Sequence, residues 1–339
     1  MLNKRFEIII LPWFSFLFIF TTAFSQGLEQ KLLLVCGDSK VFLVDYEKSI
    51  DSIPEVVWMW DAHLAGDLPE EFRTKKFNSI DDCKSIDGGE KIMISSSSGA
   101  VAILERKTDK VLFYANVPNA HSIELLPNNR LVAAASTENG GNKIMLFDID
   151  RMDKVLYSES LHSAHGVVWN DESKRLYALG YDVLREYVLV PQDSLSLISR
   201  WDIPGISGHD LYLSPGGNGL FMTEHTGSWF FDFENKSFNK IEGFPDAENI
   251  KSIGQDKSGQ FIELNFDNEQ VACIPVNTLV ENSPMYDRKW KKAKLPKKNK
   301  IKKEIFNKLK IKDVLIKILS NPNVCSKEWI WQQYDHTVM

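Results

Sequence analysis

Residues 120–160 read AHSIELLPNNRLVAAASTENGGNKIMLFDIDRMDKVLYSES. Ala120-His121-Ser122-Ile123 opens a short apolar run, and further runs follow at 130–136, 143–148 and 155–160. Pro127-Asn128-Asn129 and Asn139-Gly140-Gly141 separate them. Apolar runs of this length bounded by Asn, Gly and Pro predict strands joined by tight turns. Four short strands in about forty residues is the pattern of one blade of a β-propeller.

The same plan recurs on both sides. Asp82-Cys83-Lys84-Ser85-Ile86 opens an earlier unit; Ala164-His165-Gly166-Val167, Gly208-His209-Asp210-Leu211 and Asn249-Ile250-Lys251-Ser252-Ile253 open later ones. Asp82, His121, His165, His209 and Asn249 are 39, 44, 44 and 40 residues apart. Self-similarity at such a period predicts a repeat architecture. The N-terminal stretch adds strands at 31–36, 40–45 and 55–60 but no opening strand of its own. A propeller removes its exposed edges by closing on itself. The expected fold is therefore all-β, a propeller of about six four-stranded blades over 26–265. Its closure stays incomplete unless the C-terminal part returns a strand to the first blade.

Residues 266–339 read differently. Twelve lysines lie between Lys289 and Lys312, and Ile305, Leu309, Val314 and Ile318 have helical spacing. This predicts a basic, partly helical extension, with the lysine run a solvated linker. The body before it is acidic, since the whole chain of 339 residues carries a net charge of -6. That balance argues against nucleic acid as a partner. Residues 1–25 have the pattern of an export signal: Lys4 and Arg5, an apolar run over 8–20, then Ala23-Phe24-Ser25 before Gln26. Export to the periplasm or the exterior is expected, with no membrane association after cleavage. Cys36, Cys83, Cys273 and Cys325 match no zinc spacing. Cys36 and Cys83 are read either as buried free thiols or, in an exported chain, as a pair.

His121, His165 and His209 each begin an innermost strand, so they are expected at one mouth of the channel. Asp82 and Asn249 are expected in the same slot of flanking units. The turn that carries Glu224-His225-Thr226 and the one that carries Tyr181-Asp182 return to that face. Imidazoles and carboxylates in this number can hold a divalent metal ion. The candidate ligands are His121, His165, His209, Asp82, Asn249 and Glu224. Two other readings stand beside it: a metal-free site for a carbohydrate or other anionic ligand, and a registration role in which each His bonds a neighbouring backbone carbonyl. Trp58, Trp60, Trp201 and Trp229 are expected to pack between blades.

On Cys36-Gly37-Asp38-Ser39-Lys40, Pro118-Asn119-Ala120-His121-Ser122, Ser163-Ala164-His165-Gly166-Val167, Gly208-His209-Asp210 and Pro245-Asp246-Ala247-Glu248-Asn249, residues 32–264 resemble an uncharacterised family of exported bacterial propeller proteins. The His rim also resembles that of propeller lyases that split uronic-acid oligosaccharides with a His-bound metal. That resemblance implies a metal-acidified C–H and a proton acceptor, for which Tyr181 and His225 are the candidates. Residues 266–339, through Ser320-Asn321-Pro322-Asn323-Val324-Cys325 and Gln333-Tyr334-Asp335-His336, resemble the segment joining the catalytic halves of phosphoribosylformylglycinamidine synthase. That resemblance implies purine-synthesis amidation with ATP, but the ATP-binding halves have no counterpart here. The expectation is thus an exported propeller that binds, or binds and cleaves, an anionic ligand; the alternatives are a non-catalytic protein-interaction platform and, least supported, the amidation.

Overall fold

The computed structural model describes residues 32–50, 53–191, 193–241, 250–255, 261–267, 270–275 and 330–334. The first sheet has β1 (Leu32–Gly37), β2 (Lys40–Ile50) and β3 (Ile53–Asp61). The second has β4 (Ile80–Ile86), β5 (Lys91–Ser96), β6 (Ala100–Glu105) and β7 (Lys110–Asn116). The third has β8 (Ala120–Leu126), β9 (Arg130–Ala135), β10 (Lys143–Asp148) and β11 (Val155–Ser160). The fourth has β12 (Gly166–Asn170), β13 (Arg175–Leu179), β14 (Val183–Val190) and β15 (Ser194–Asp202). The fifth has β16 (Leu211–Leu213), β17 (Gly219–Glu224), β18 (Gly227–Asp232) and β19 (Ser237–Lys240). The sixth has β20 (Ile250–Gln255), β21 (Phe261–Asp267) and β22 (Gln270–Pro275), and β23 (Ile330–Tyr334) joins the first sheet as β23-β1-β2-β3.

Within each sheet, neighbouring strands are antiparallel, and apart from β23 they follow chain order, as hairpin connections dictate. Positive-φ asparagines and aspartates sit at the tips, Asn128 and Asn129 between β8 and β9 and Asp109 between β6 and β7. These short polar side chains tolerate the left-handed region. Among the described residues, helix is confined to single turns at Ala62–Leu64, Phe72–Lys76 and Asp87–Gly89.

The chain is an all-β propeller, with one correction to the expected count. Five blades have four strands, not six; the remaining sheet has three among the described residues. After Pro275 the sequence passes into Pro284 and the lysine run, which has no alternating apolar pattern to supply a fourth strand. The inner strands β23, β4, β8, β12, β16 and β20 neighbour one another in a closed circuit. Residues 266–339, read from sequence as a separate extension, thus contain two paired strands, β22 on β21 and β23 on β1. The lysine run, the helical spacing at 305–318 and the export signal lie outside the described residues.

The hydrophobic core lies between blades. Leu34, Cys36 and Leu43 pack with Phe77, Ile80, Cys83 and Ile92 across the first interface. Ile103 and Phe113 pack with Ile123, Leu131 and Phe147 across the second, and equivalent clusters fill the third and fourth. The second, third and fourth sheets are therefore covered on both faces, which is why their middle strands read as continuous apolar runs. Trp60 is buried in the first interface, and Trp58, Trp201 and Trp229 pack against these clusters as expected.

Candidate functional site at the channel mouth

A shared local device sets the three histidines. Asn119, Ser163 and Ser207 each stand two residues before a rim His, and all three have positive φ. Ala120, Ala164 and Gly208 follow, so the chain turns tightly into the inner strand through a small residue. At Gly208 an added Cβ would lie 2.6 Å from the carbonyl oxygen of Gly180 and 2.7 Å from Cγ of Leu179. Only glycine fits there.

A β-bulge then displaces one residue out of the ladder. In the third sheet Ala120 pairs with Ala135 and Ser122 with Ala134, leaving His121 unpaired between them. The same slip leaves Asp81 between Ile80 and Asp82, and Lys251 between Ile250 and Ser252. Bulges re-aim a side chain in this way. The slot shared with His121 is therefore held by Asp81 and Lys251, one and two positions from the Asp82 and Asn249 that the spacing suggested. Asn249 itself lies outside the described residues.

The three imidazoles come together. The rings of His121 and His165 stack at 4.2 Å between centroids, and His209 meets His165 edge-on at 5.4 Å. Nδ1 of His165 lies 3.0 Å from the carbonyl oxygen of Ser163, and Ser136 Oγ is 3.2 Å away. A carbonyl only accepts, so Nδ1 carries the proton and Nε2 keeps its lone pair. The carbonyl stands two residues before His165 in the same turn, so the bond orients the ring locally. The Lys251 ammonium lies beside both ring nitrogens of His209, 3.0 Å from Nε2 and 3.5 Å from Nδ1. Burial pushes His165 down to about 4, with Lys251 adding to the effect. Burial and then Lys251 push His209 down to about 3. Burial and the neighbouring imidazoles hold His121 well below the usual range. The trio is neutral at pH 7 beside one ammonium.

The remaining candidates divide. Glu224 is fully buried and accepts from Thr226 N at 2.6 Å, Thr226 Oγ1 at 2.7 Å and Trp229 Nε1 at 2.9 Å. It closes its own turn, with Gly205 packed so tightly on the carboxylate that a Cβ would meet it at 2.2 Å. His225 is exposed, with its backbone N–H bonded to the Ile206 carbonyl. The Tyr181 ring faces His162 at 5.2 Å, and its carbonyl receives the Gly208 N–H.

Asp82 belongs to a second, deeper layer that the sequence reading missed. It accepts from Ser122 Oγ at 2.9 Å and from the Ile123 N–H of the next blade. Asp210 repeats the latch three blades on, accepting from Ser252 Oγ at 3.0 Å and Ile253 N at 2.8 Å. An Asp in one opening and Ser-Ile in the next was the available signal. Between the latches, Lys84 spans the channel. Its Nζ donates to Val167 O at 2.7 Å on β12, to Ser122 Oγ at 3.2 Å and to Glu124 Oε2 at 3.2 Å, with Asp82 at 3.7 Å. Burial works against the ammonium, but Glu124 and Asp82 outweigh it and its pKa is raised. Burial raises Asp82 and Glu124 against the pull of Lys84. Burial, with the Asp82 charge, lifts Asp210 to about 6. Lys84 and its partners thus form a polar layer beneath the His rim along the inner strands, and the two layers together make a polar cup. Among the described residues no group of three or more His, Cys, Asp or Glu is disposed to hold a metal ion.

These features define a β-propeller with a polar cup at one end of its channel. Residues 38–183 match a family of unknown function, DUF6528. The WD40 β-propeller domain of Doa1 superposes with a TM-score of 0.51 at 12% identity, over 69% of this chain and 71% of that one, which shows the fold alone. The resemblance to phosphoribosylformylglycinamidine synthase is also found. The PurL subunit of Pelagibacter ubique is 76% identical over 87 residues, 26% of this chain and 12% of that subunit. The PurL subunit of Methanocaldococcus jannaschii is 41% identical over 86 residues, 25% of this chain and 12% of that subunit. The match thus spans only about an eighth of these curated relatives.

Proposed function

We propose that this exported propeller binds a small hydroxylated anion, of the sugar-acid class, in the His-lined cup. The observation that carries the reading is the Lys251 ammonium 3.0 Å from His209 in a trio of neutral imidazoles. The ammonium offers donors to a carboxylate, and the His165 Nε2 lone pair offers an acceptor to a hydroxyl. An anion is favoured over a divalent metal. The Lys251 ammonium sits beside both His209 nitrogens and would repel a cation there, Asp82 is engaged by Ser122, and Glu224 is enclosed in its own turn.

Binding is also favoured over lyase chemistry. The proton acceptors a lyase would use, Tyr181 and His225, make no ring contact with the trio: the Tyr181 ring meets His162 at 5.2 Å, and His225 lies exposed on its turn. The propeller fold supports a binding or interaction role at the coarser level. The PurL-like stretch covers too little of that subunit to carry its amidation here.

Calorimetric titration with D-galacturonate and its short oligomers at pH 6 tests the proposal. Binding is expected for the unaltered chain and at least tenfold weaker binding for Lys251→Met. Equal affinity in the variant, or no heat with any of these probes, overturns it.

A further inference from the structure

The core of the first blade interface contains a pair of thiols that the cup does not use. Cys36 lies at the end of β1 and Cys83 in the middle of β4. Both are fully buried, and neither is in a disulfide. Their side chains are hydrogen-bonded to each other. The strands that carry them are held in register by the Ile80 N–H, which donates to the Asp38 carbonyl at 2.7 Å, and by Ile80 and Leu34 in the same apolar cluster. Two sulfurs in hydrogen-bond contact on neighbouring strands need only a small approach to reach bonding distance.

We propose that Cys36 and Cys83 form an inter-blade disulfide when the chain folds in the presence of a disulfide oxidant. One thiolate attacks a sulfur of the oxidant, breaking its S–S bond and releasing one thiol. The second cysteine thiolate then attacks the protein sulfur of the mixed disulfide and releases the other thiol. Two protein thiols lose two electrons and two protons; the oxidant's disulfide gains them as two thiols. The exchange belongs to folding rather than to the finished protein. Once the interface closes, both sulfurs are sealed, and burial holds both thiols in their protonated, unreactive form. The bond closes a loop from 36 to 83 and joins the first blade to the second beside β23, where the two ends of the chain meet. It acts chiefly by restricting the unfolded chain.

The test is refolding of the full denatured chain in a mixture of reduced and oxidised glutathione. Free thiols are then blocked under denaturing conditions and the protein is mapped without reduction. The expected product is one linked peptide pair, Cys36 with Cys83, lighter by two hydrogens than the separate peptides. The oxidised chain is expected to melt roughly 8–16 °C above the reduced chain. Cys83→Ser should give no link and the same melting temperature in both buffers. If that variant fails to fold, the oxidised and reduced forms of the unaltered chain still decide the matter. Full alkylation of Cys36 and Cys83 after oxidative refolding overturns the proposal. So does a link of either to Cys273 or Cys325, or a melting temperature that the oxidant does not move.

Discussion

Replacing Lys84 by Met removes the only ammonium from the polar layer beneath the His rim while preserving most of the side-chain volume. Glu124 and Asp82 lose a partner at 3.2 and 3.7 Å, and the Val167 carbonyl loses a donor at 2.7 Å. Removing one member of a buried ion pair costs about 3–5 kcal/mol, because the other charge stays buried without compensation. At roughly 2–4 °C per kcal/mol for a domain of this size, the melting temperature should fall by roughly 6–20 °C. The loss should depend on pH. Lys84 holds the Asp82 and Glu124 pKa values down against burial. Without it both rise further, so the carboxylates escape the penalty by taking up protons in acid. Urea denaturation at pH 8 and pH 5 is the assay, with the larger deficit expected at pH 8. Adding Glu124→Gln to Lys84→Met should recover part of the deficit. A loss below about 1 kcal/mol at pH 8, the value of an exposed pair, would refute the reasoning, as would a loss identical at both pH values.

Acid should destabilise the fold through the rim. His165 and His209 titrate at about 4 and about 3 when folded, against about 6.5 when unfolded. The unfolded chain binds more protons between those values, so their stabilisation is complete above pH 6.5 and is lost as pH falls toward 4. Asp210, raised to about 6, works in the opposite sense below pH 6 and offsets part of the loss; a stability profile from pH 7 to 4 that is flat or rises would contradict this. Gly208→Ala should cost roughly 1–3 kcal/mol in urea denaturation, because its Cβ would strike backbone. Glu224→Gln should weaken the turn to Thr226 and change Trp229 fluorescence, since that indole donates to the carboxylate; an unchanged emission spectrum would count against the contact. Truncation before Ile330 should uncover β1 and promote concentration-dependent aggregation, measured by light scattering.

The sequence alone determined the class of fold and the chemistry of the rim. Strand patterns and turns are local, so the repeated Asn-Asn, Gly-Gly and Pro-Gly turns and the 44-residue step between His121, His165 and His209 carry the blades directly. Inner-strand position then implies a shared channel mouth, and the rings do meet there. Tertiary structure decided what periodicity cannot encode. A one-residue bulge put Asp81 and Lys251, not Asp82 and Asn249, in the histidine slot, because a bulge shifts register without changing the apolar pattern. The reach of Lys84 to Val167, 83 residues away and two blades round the ring, exists only once the ring is closed. Closure itself rests on β23 returning to β1 from the far end of the chain. An innermost strand is fixed by the edge it covers, and nothing in its own five residues names that edge.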